Sequence, residues 1–133
     1  MMTRVLVVED EAILAIDIAT HLTDAGFSVV GPATSVTKAL TLIGEVGCDV
    51  AVLDVNLRDE TAEPIASELR SRGTPFLFLS GVYRDQLPDW FDGAILLSKP
   101  ARPAMLVAAV RQCVGKPTWP CWLSARGLHP CHN

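Results

Sequence analysis

The chain has 133 residues, 50% of them hydrophobic and 20% charged, and a formal net charge of -4. A domain of this length buries roughly two thirds of the surface its unfolded form exposes, and no apolar stretch approaches the roughly 20 residues that span a bilayer. The acidic balance argues against direct nucleic-acid binding, which needs a basic face to release phosphate counterions. The first residues carry neither the basic head nor the small-residue cleavage site of a signal peptide, so the expectation is a cytoplasmic protein without membrane insertion.

Strand and helix signals alternate along the chain. Residues 4–8 read as a first strand. Residues 11–25 read as a helix with Leu14, Ile18 and Leu22 on an inward stripe, Asp17, His21 and Asp24 outward, and Gly26 as its cap. Residues 27–30 give a short second strand, and Ser35 is a fitting N-cap for a helix that turns Val36, Ala39, Leu40 and Ile43 inward and ends at Gly47. Residues 49–53 form the third strand. A polar loop follows, and Pro64 suits the first turn of a helix ending near Arg72 and Gly73.

Residues 76–79 read as the fourth strand. The segment 81–92 holds a short, weak fourth helix, interrupted by Pro88 and anchored only by Tyr83, Leu87, Trp90 and Phe91. Residues 93–97 are the fifth strand. Pro103 opens a last helix containing Met105, Leu106, Ala109, Val110 and Cys113, stopped by Gly115 and Pro117. Residues 1–116 are thus one domain, and 117–133 form an irregular tail.

The 4 cysteines make no disulfide scaffold. Cys48 and Cys113 suit burial as small hydrophobes. In the tail, Cys121, His129, Cys131 and His132 match no established zinc spacing, and Trp119 and Trp122 are apolar surface in want of a cover. His21 is expected to be solvated on the first helix.

Alternation of this kind predicts an α/β fold, a doubly wound five-stranded parallel sheet with helices on both faces. Its carboxyl edge, where open α/β sheets bind ligands, then collects Glu9 and Asp10 after the first strand, Asp54 after the third, Ser80 after the fourth and Lys99 after the fifth. Three gathered carboxylates repel one another unless a proton or a hard divalent cation offsets their charge. Each residue has a plainer reading: Glu9, Asp10 and Glu11 as an acidic first helical turn, Asp54 as a loop cap, Lys99 as a surface charge and Ser80-Gly81 as a turn. All of these would have to hold together at one edge.

These five positions, in this order and on these elements, resemble the receiver domain of two-component response regulators over about residues 3–115. The resemblance implies a flavodoxin-like strand order 2-1-3-4-5 and a phosphoryl-accepting Asp54. It also implies Mg²⁺ held by Asp10, Asp54 and the Asn56 main-chain carbonyl, with Glu9 acting through water. Lys99 and Ser80 would contact phosphoryl oxygens, a chemistry of positioning and electrostatics that needs no proton-transfer residue. Such a domain is not an enzyme beyond its own self-phosphorylation and autodephosphorylation.

Phe78-Leu79-Ser80-Gly81-Val82-Tyr83 is similar to the receiver subgroup reading Phe-Ala-Thr-Gly-hydrophobic-Tyr, as is Leu53-Asp54-Val55-Asn56-Leu57. Members of that subgroup often act with histidine kinases of the HWE type in alphaproteobacterial stress signalling. Ser80 and Leu79 depart from the Thr and Ala of the motif. Leu96 stands where ordinary receivers carry an aromatic switch residue, leaving Tyr83 as its replacement. The expected output is contact with a downstream protein or a second copy, through the fourth helix, fifth strand and last helix, where Val107 and Val114 face away from the sheet or lie beneath the tail. A phosphorylation-independent interaction module on the same fold is the alternative. An aspartate-nucleophile phosphatase fails because Asn56 stands where those enzymes place an acidic general acid.

Overall fold

The computed structural model describes residues 2–57, 60–81 and 95–115. In chain order these form β1 (Arg4–Val8), α1 (Ala12–Asp24), β2 (Ser28–Ala33), α2 (Val36–Glu45), β3 (Val50–Asp54), β4 (Asn56–Leu57), β5 (Glu60–Thr61), α3 (Glu63–Ser71), β6 (Phe76–Ser80), β7 (Ile95–Ser98) and α4 (Pro103–Gly115). The expectations for the fourth helix and the tail, including Tyr83, Trp90, Phe91, Trp119, Trp122 and the tail cysteines and histidines, lie outside the described residues.

β2, β1, β3, β6 and β7 form one parallel sheet in that order, the flavodoxin-like order with β6 and β7 as the expected fourth and fifth strands. Its central strands are buried on both faces, which explains their unbroken apolar runs. Leu6 and Val8 of β1, Ala51 and Leu53 of β3, and Phe76 and Phe78 of β6 pack with α2 and α3. Their neighbours Val5, Val7, Val50, Val52, Leu77 and Leu79 pack on the opposite face with α1 and α4. The two-residue period of the strands thus feeds two cores through one sheet.

Ser35 caps α2 as expected, its Oγ accepting from Lys38 N at 3.1 Å. Gly26, Gly47 and Gly73 follow the first three helices with positive φ, a conformation that favours glycine. α1 buries Ala15, Ile18 and Leu22, whereas Leu14, expected on the same stripe, is only partly covered. The stripe centres one residue further along. Ile13 and Ile16 are left exposed.

Several boundaries differ from the sequence reading: β3 starts at Val50, β6 includes Ser80 and β7 includes Ser98. β2 runs on through Gly31 and Pro32 to Ala33, because it is the sheet's outer strand, where a proline's missing donor leaves no ladder bond unmade. The segment after β3 is not an open loop: Asn56 pairs with Thr61 and Leu57 with Glu60 in a short antiparallel ribbon, β4 and β5. Asp54 is the last residue of β3 rather than the first beyond it.

In α4, Leu106, Ala109, Val110 and Cys113 are buried against the sheet. Val107 packs partly against the same core, and Val114 is exposed. Cys48 is half-buried, and burial pushes its thiol up to about 11, so it is inert at neutral pH. His21 is partly exposed, with Nε2 3.3 Å from Asp17 Oδ2.

Candidate functional site

The strand ladder carries the candidate residues to one edge and continues past the strand ends to hold them there. Val8 pairs with Leu53 and Asp54 with Leu79. Beyond the strands, Glu9 N donates to Ala33 O at 3.0 Å, Val55 N to Leu79 O at 3.0 Å, and Lys99 N to Ser80 O at 2.9 Å. Each residue that leaves the sheet therefore has its main chain tied to the next strand. Glu9, Asp54 and Ser80 are buried there, and the two carboxylates could not stay so without compensation.

Lys99 supplies part of that compensation. Its Nζ lies 2.9 Å from Asp54 Oδ2 and 2.9 Å from Glu9 Oε1, with the lysine side chain 22% exposed. Burial pulls the lysine pKa down, but the hydrogen bonds and charges of Glu9 and Asp54 outweigh this and hold it above its usual value. The ammonium is therefore permanent at neutral pH. Glu9 responds in the opposite sense. Burial pushes its pKa from 4.5 up to about 7, the Asp54 charge adds to the rise, and hydrogen bonds from Lys99 and the Glu11 main chain oppose it.

Glu9 Oε2 accepts from Glu11 N at 3.1 Å. Glu9 Oε1 is buried and faces the Lys99 ammonium at 2.9 Å. Oxygens of Glu9, Asp10 and Asp54 all lie within 4.8 Å of one another, so one ion could touch all three carboxylates. All-oxygen donors of this charge suit a hard divalent cation such as Mg²⁺.

The site therefore joins Glu9, Asp10, Asp54 and Lys99. Ser80 ends β6 beside the strand that carries Asp54, and the Asn56 main chain enters the ribbon two residues beyond Asp54. α1 begins at Ala12 with Glu11 as its N-cap, so Glu9 and Asp10 precede the helix. The sequence reading missed the sharing of Lys99 between two carboxylates. It also missed Glu60, whose carboxylate reaches from the ribbon to α2. Neither leaves a local signal, since both depend on contacts between distant parts of the chain.

The sequence profile of the response regulator receiver domain matches residues 5–111. The phyllosphere-induced regulator PhyR of Methylorubrum extorquens is 26% identical over 123 residues, which cover 86% of this chain but only 44% of PhyR. This chain thus spans less than half of that relative. A response regulator receiver protein from Sinorhizobium medicae superposes with a TM-score of 0.71 at 30% identity, covering 85% of this chain and 94% of that one. The BeF3-activated conformation of SdrG from Pseudomonas melonis superposes with a TM-score of 0.69 at 34% identity, covering 81% and 95%.

Proposed function

Because this chain belongs to the family of response regulator receiver domains, we propose that it is a phosphoryl acceptor that stores a two-component signal on Asp54. The observation that carries this is the buried Asp54 carboxylate, at the ligand-binding edge of the sheet, 2.9 Å from a permanently charged Lys99 and within reach of two further carboxylates. In this reading Asp54 Oδ attacks the phosphorus of a phosphohistidine, an O–P bond forms, the P–N bond breaks, and the imidazole leaves. Lys99 then balances charge on the phosphoryl oxygens, and the Ser80 hydroxyl donates to another of them.

Mg²⁺, held by Glu9, Asp10, Asp54 and the Asn56 carbonyl, would supply further charge neutralisation. The donor is a sensor histidine kinase, of the HWE type by the Phe-Leu-Ser-Gly-Val-Tyr turn. The output is a downstream protein contact or a homodimer. Among the described residues no helix is long and apolar enough to cross a membrane, in keeping with a cytoplasmic role, and the domain carries no catalytic turnover beyond its own phosphorylation cycle.

The alternative, an interaction module indifferent to phosphorylation, draws on Leu96. This aliphatic residue pairs with Phe78 and packs against the core that α2 and α3 cover. Incubation with Mg²⁺ and acetyl phosphate, followed by intact mass measurement, separates the two. A gain of one phosphoryl group in the native chain and none in Asp54→Asn is expected. No gain from acetyl phosphate or from a histidine kinase would leave the interaction module as the better reading.

A further inference from the structure

The ribbon that follows Asp54 is tied to a helix by one side chain. Glu60 Oε1 accepts a hydrogen bond from Val36 N, the first residue of α2, at 3.3 Å and across 24 positions of sequence. Ser35 serves a different donor of the same helix end, Lys38 N. The first turn of a helix leaves four main-chain donors without intrahelical partners, and the two caps answer two of them. The Glu60 charge also sits at the favourable end of the helix dipole.

The two sides of the ribbon are held differently. Val55 and Leu57, and Ala62 just beyond β5, are buried in the core under α2 and α3, and Ala62 N donates to Val55 O at 3.2 Å. The outer strand, Glu60 and Thr61, is exposed. Glu60 pairs with Leu57, and its neighbour Thr61 pairs with Asn56. A metal-binding main-chain carbonyl cannot be re-aimed by a change of rotamer. Its direction is set by whatever anchors the backbone on either side.

We propose that Glu60 is a positioning residue for the cation site: by bonding the N-terminus of α2 it holds the β4 and β5 ribbon, and with it the Asn56 carbonyl, in register with the Glu9, Asp10 and Asp54 carboxylates. This rests on the Mg²⁺ reading given above. Loss of the tie frees the exposed strand that pairs with Asn56 while the buried side stays in the core, so part of the ordering falls to the ion and binding weakens. The strength of one hydrogen bond sets the expected loss at about threefold to tenfold in Kd.

Titration of the full chain with MgCl2, followed through backbone amide shifts at a temperature where every variant is folded, tests this. Glu60→Ala is expected to raise the Mg²⁺ Kd by about threefold to tenfold. Glu60→Gln keeps an oxygen acceptor for Val36 N and is expected to stay near the native Kd. Ser35→Ala removes the other cap of α2, so it is expected to lower Tm without changing the Kd. Equal weakening in Glu60→Ala and Glu60→Gln would make the effect one of charge and overturn the proposal. So would an unchanged Kd in Glu60→Ala, or a comparable rise in Ser35→Ala. Asp10→Asn is the separate control: a native response that survives it unchanged would place the ion elsewhere and sink the Mg²⁺ reading itself.

Discussion

At the scale of single residues, Glu9 carries the sharpest consequence. The unfolded chain ionises this carboxyl near 4.5, whereas in the folded protein burial holds the proton until about 7. The protonated form therefore favours the fold, fully so below pH 4.5, and that contribution is lost as pH rises to about 7. Mg²⁺ needs the carboxylate, so stabilisation by the ion should grow over the same interval. Urea unfolding in EDTA at about pH 5 and about pH 7.5, on either side of the raised pKa, checks the first point: the native chain should lose stability relative to Glu9→Gln as pH rises. A difference that stays constant would remove burial as the dominant influence on Glu9. Glu9, Asp10, Asp54, Ser80 and Lys99 were legible because each stands at the end of an apolar strand. Glu60 was not, because nothing in Asp59-Glu60-Thr61 announces a partner 24 positions away.

At the scale of elements, glycines at two positions make opposite predictions. Gly31 has φ +96°, and a Cβ there would lie 2.7 Å from Ala33 N and 3.3 Å from Val7 O. The register between β1 and β2 shifts at this point, between Leu6 and Val8, and Ala33 O receives the Glu9 main-chain bond just beyond. Gly31→Ala should therefore destabilise by about 1–3 kcal/mol, through strain and displacement of the β2 end. Gly44 lies inside α2, and a Cβ added to it would meet nothing within 4 Å. There the same substitution relieves backbone entropy and should stabilise by roughly 0.5–1 kcal/mol. Urea unfolding of the two variants reads both signs, and a loss at Gly44 or a neutral result at Gly31 would contradict the backbone argument. The helices were readable from their caps and periodicity. The far end of β2 was not, since Gly31-Pro32 reads as a turn until the strand is known to lie at the sheet's edge.

At the scale of the whole molecule, the two cores are separated by a sheet that belongs to both. Leu69 of α3 is buried on one side and Leu106 of α4 on the other, at 0% and 2% exposure. Truncating either to alanine should cost about 2–5 kcal/mol, and because each strand contributes alternate residues to both layers, each variant should still unfold in one transition. Far-UV circular dichroism and hydrogen exchange should therefore report the same loss. A biphasic curve in either variant would show that the layers unfold separately.

The sequence by itself determined the class of fold, the strand order implied by the family resemblance, and the set of residues at the carboxyl edge of the sheet. Those follow from local information: apolar runs set the strands, and the residue at the end of each run must emerge at the same end of a parallel sheet. Only the tertiary structure decided that Lys99 is shared between Glu9 and Asp54, that burial keeps Glu9 protonated toward neutral pH, and that the segment after Asp54 is a ribbon tied to α2. Each of these depends on distances and desolvation between groups far apart in the chain, and a one-dimensional pattern carries neither.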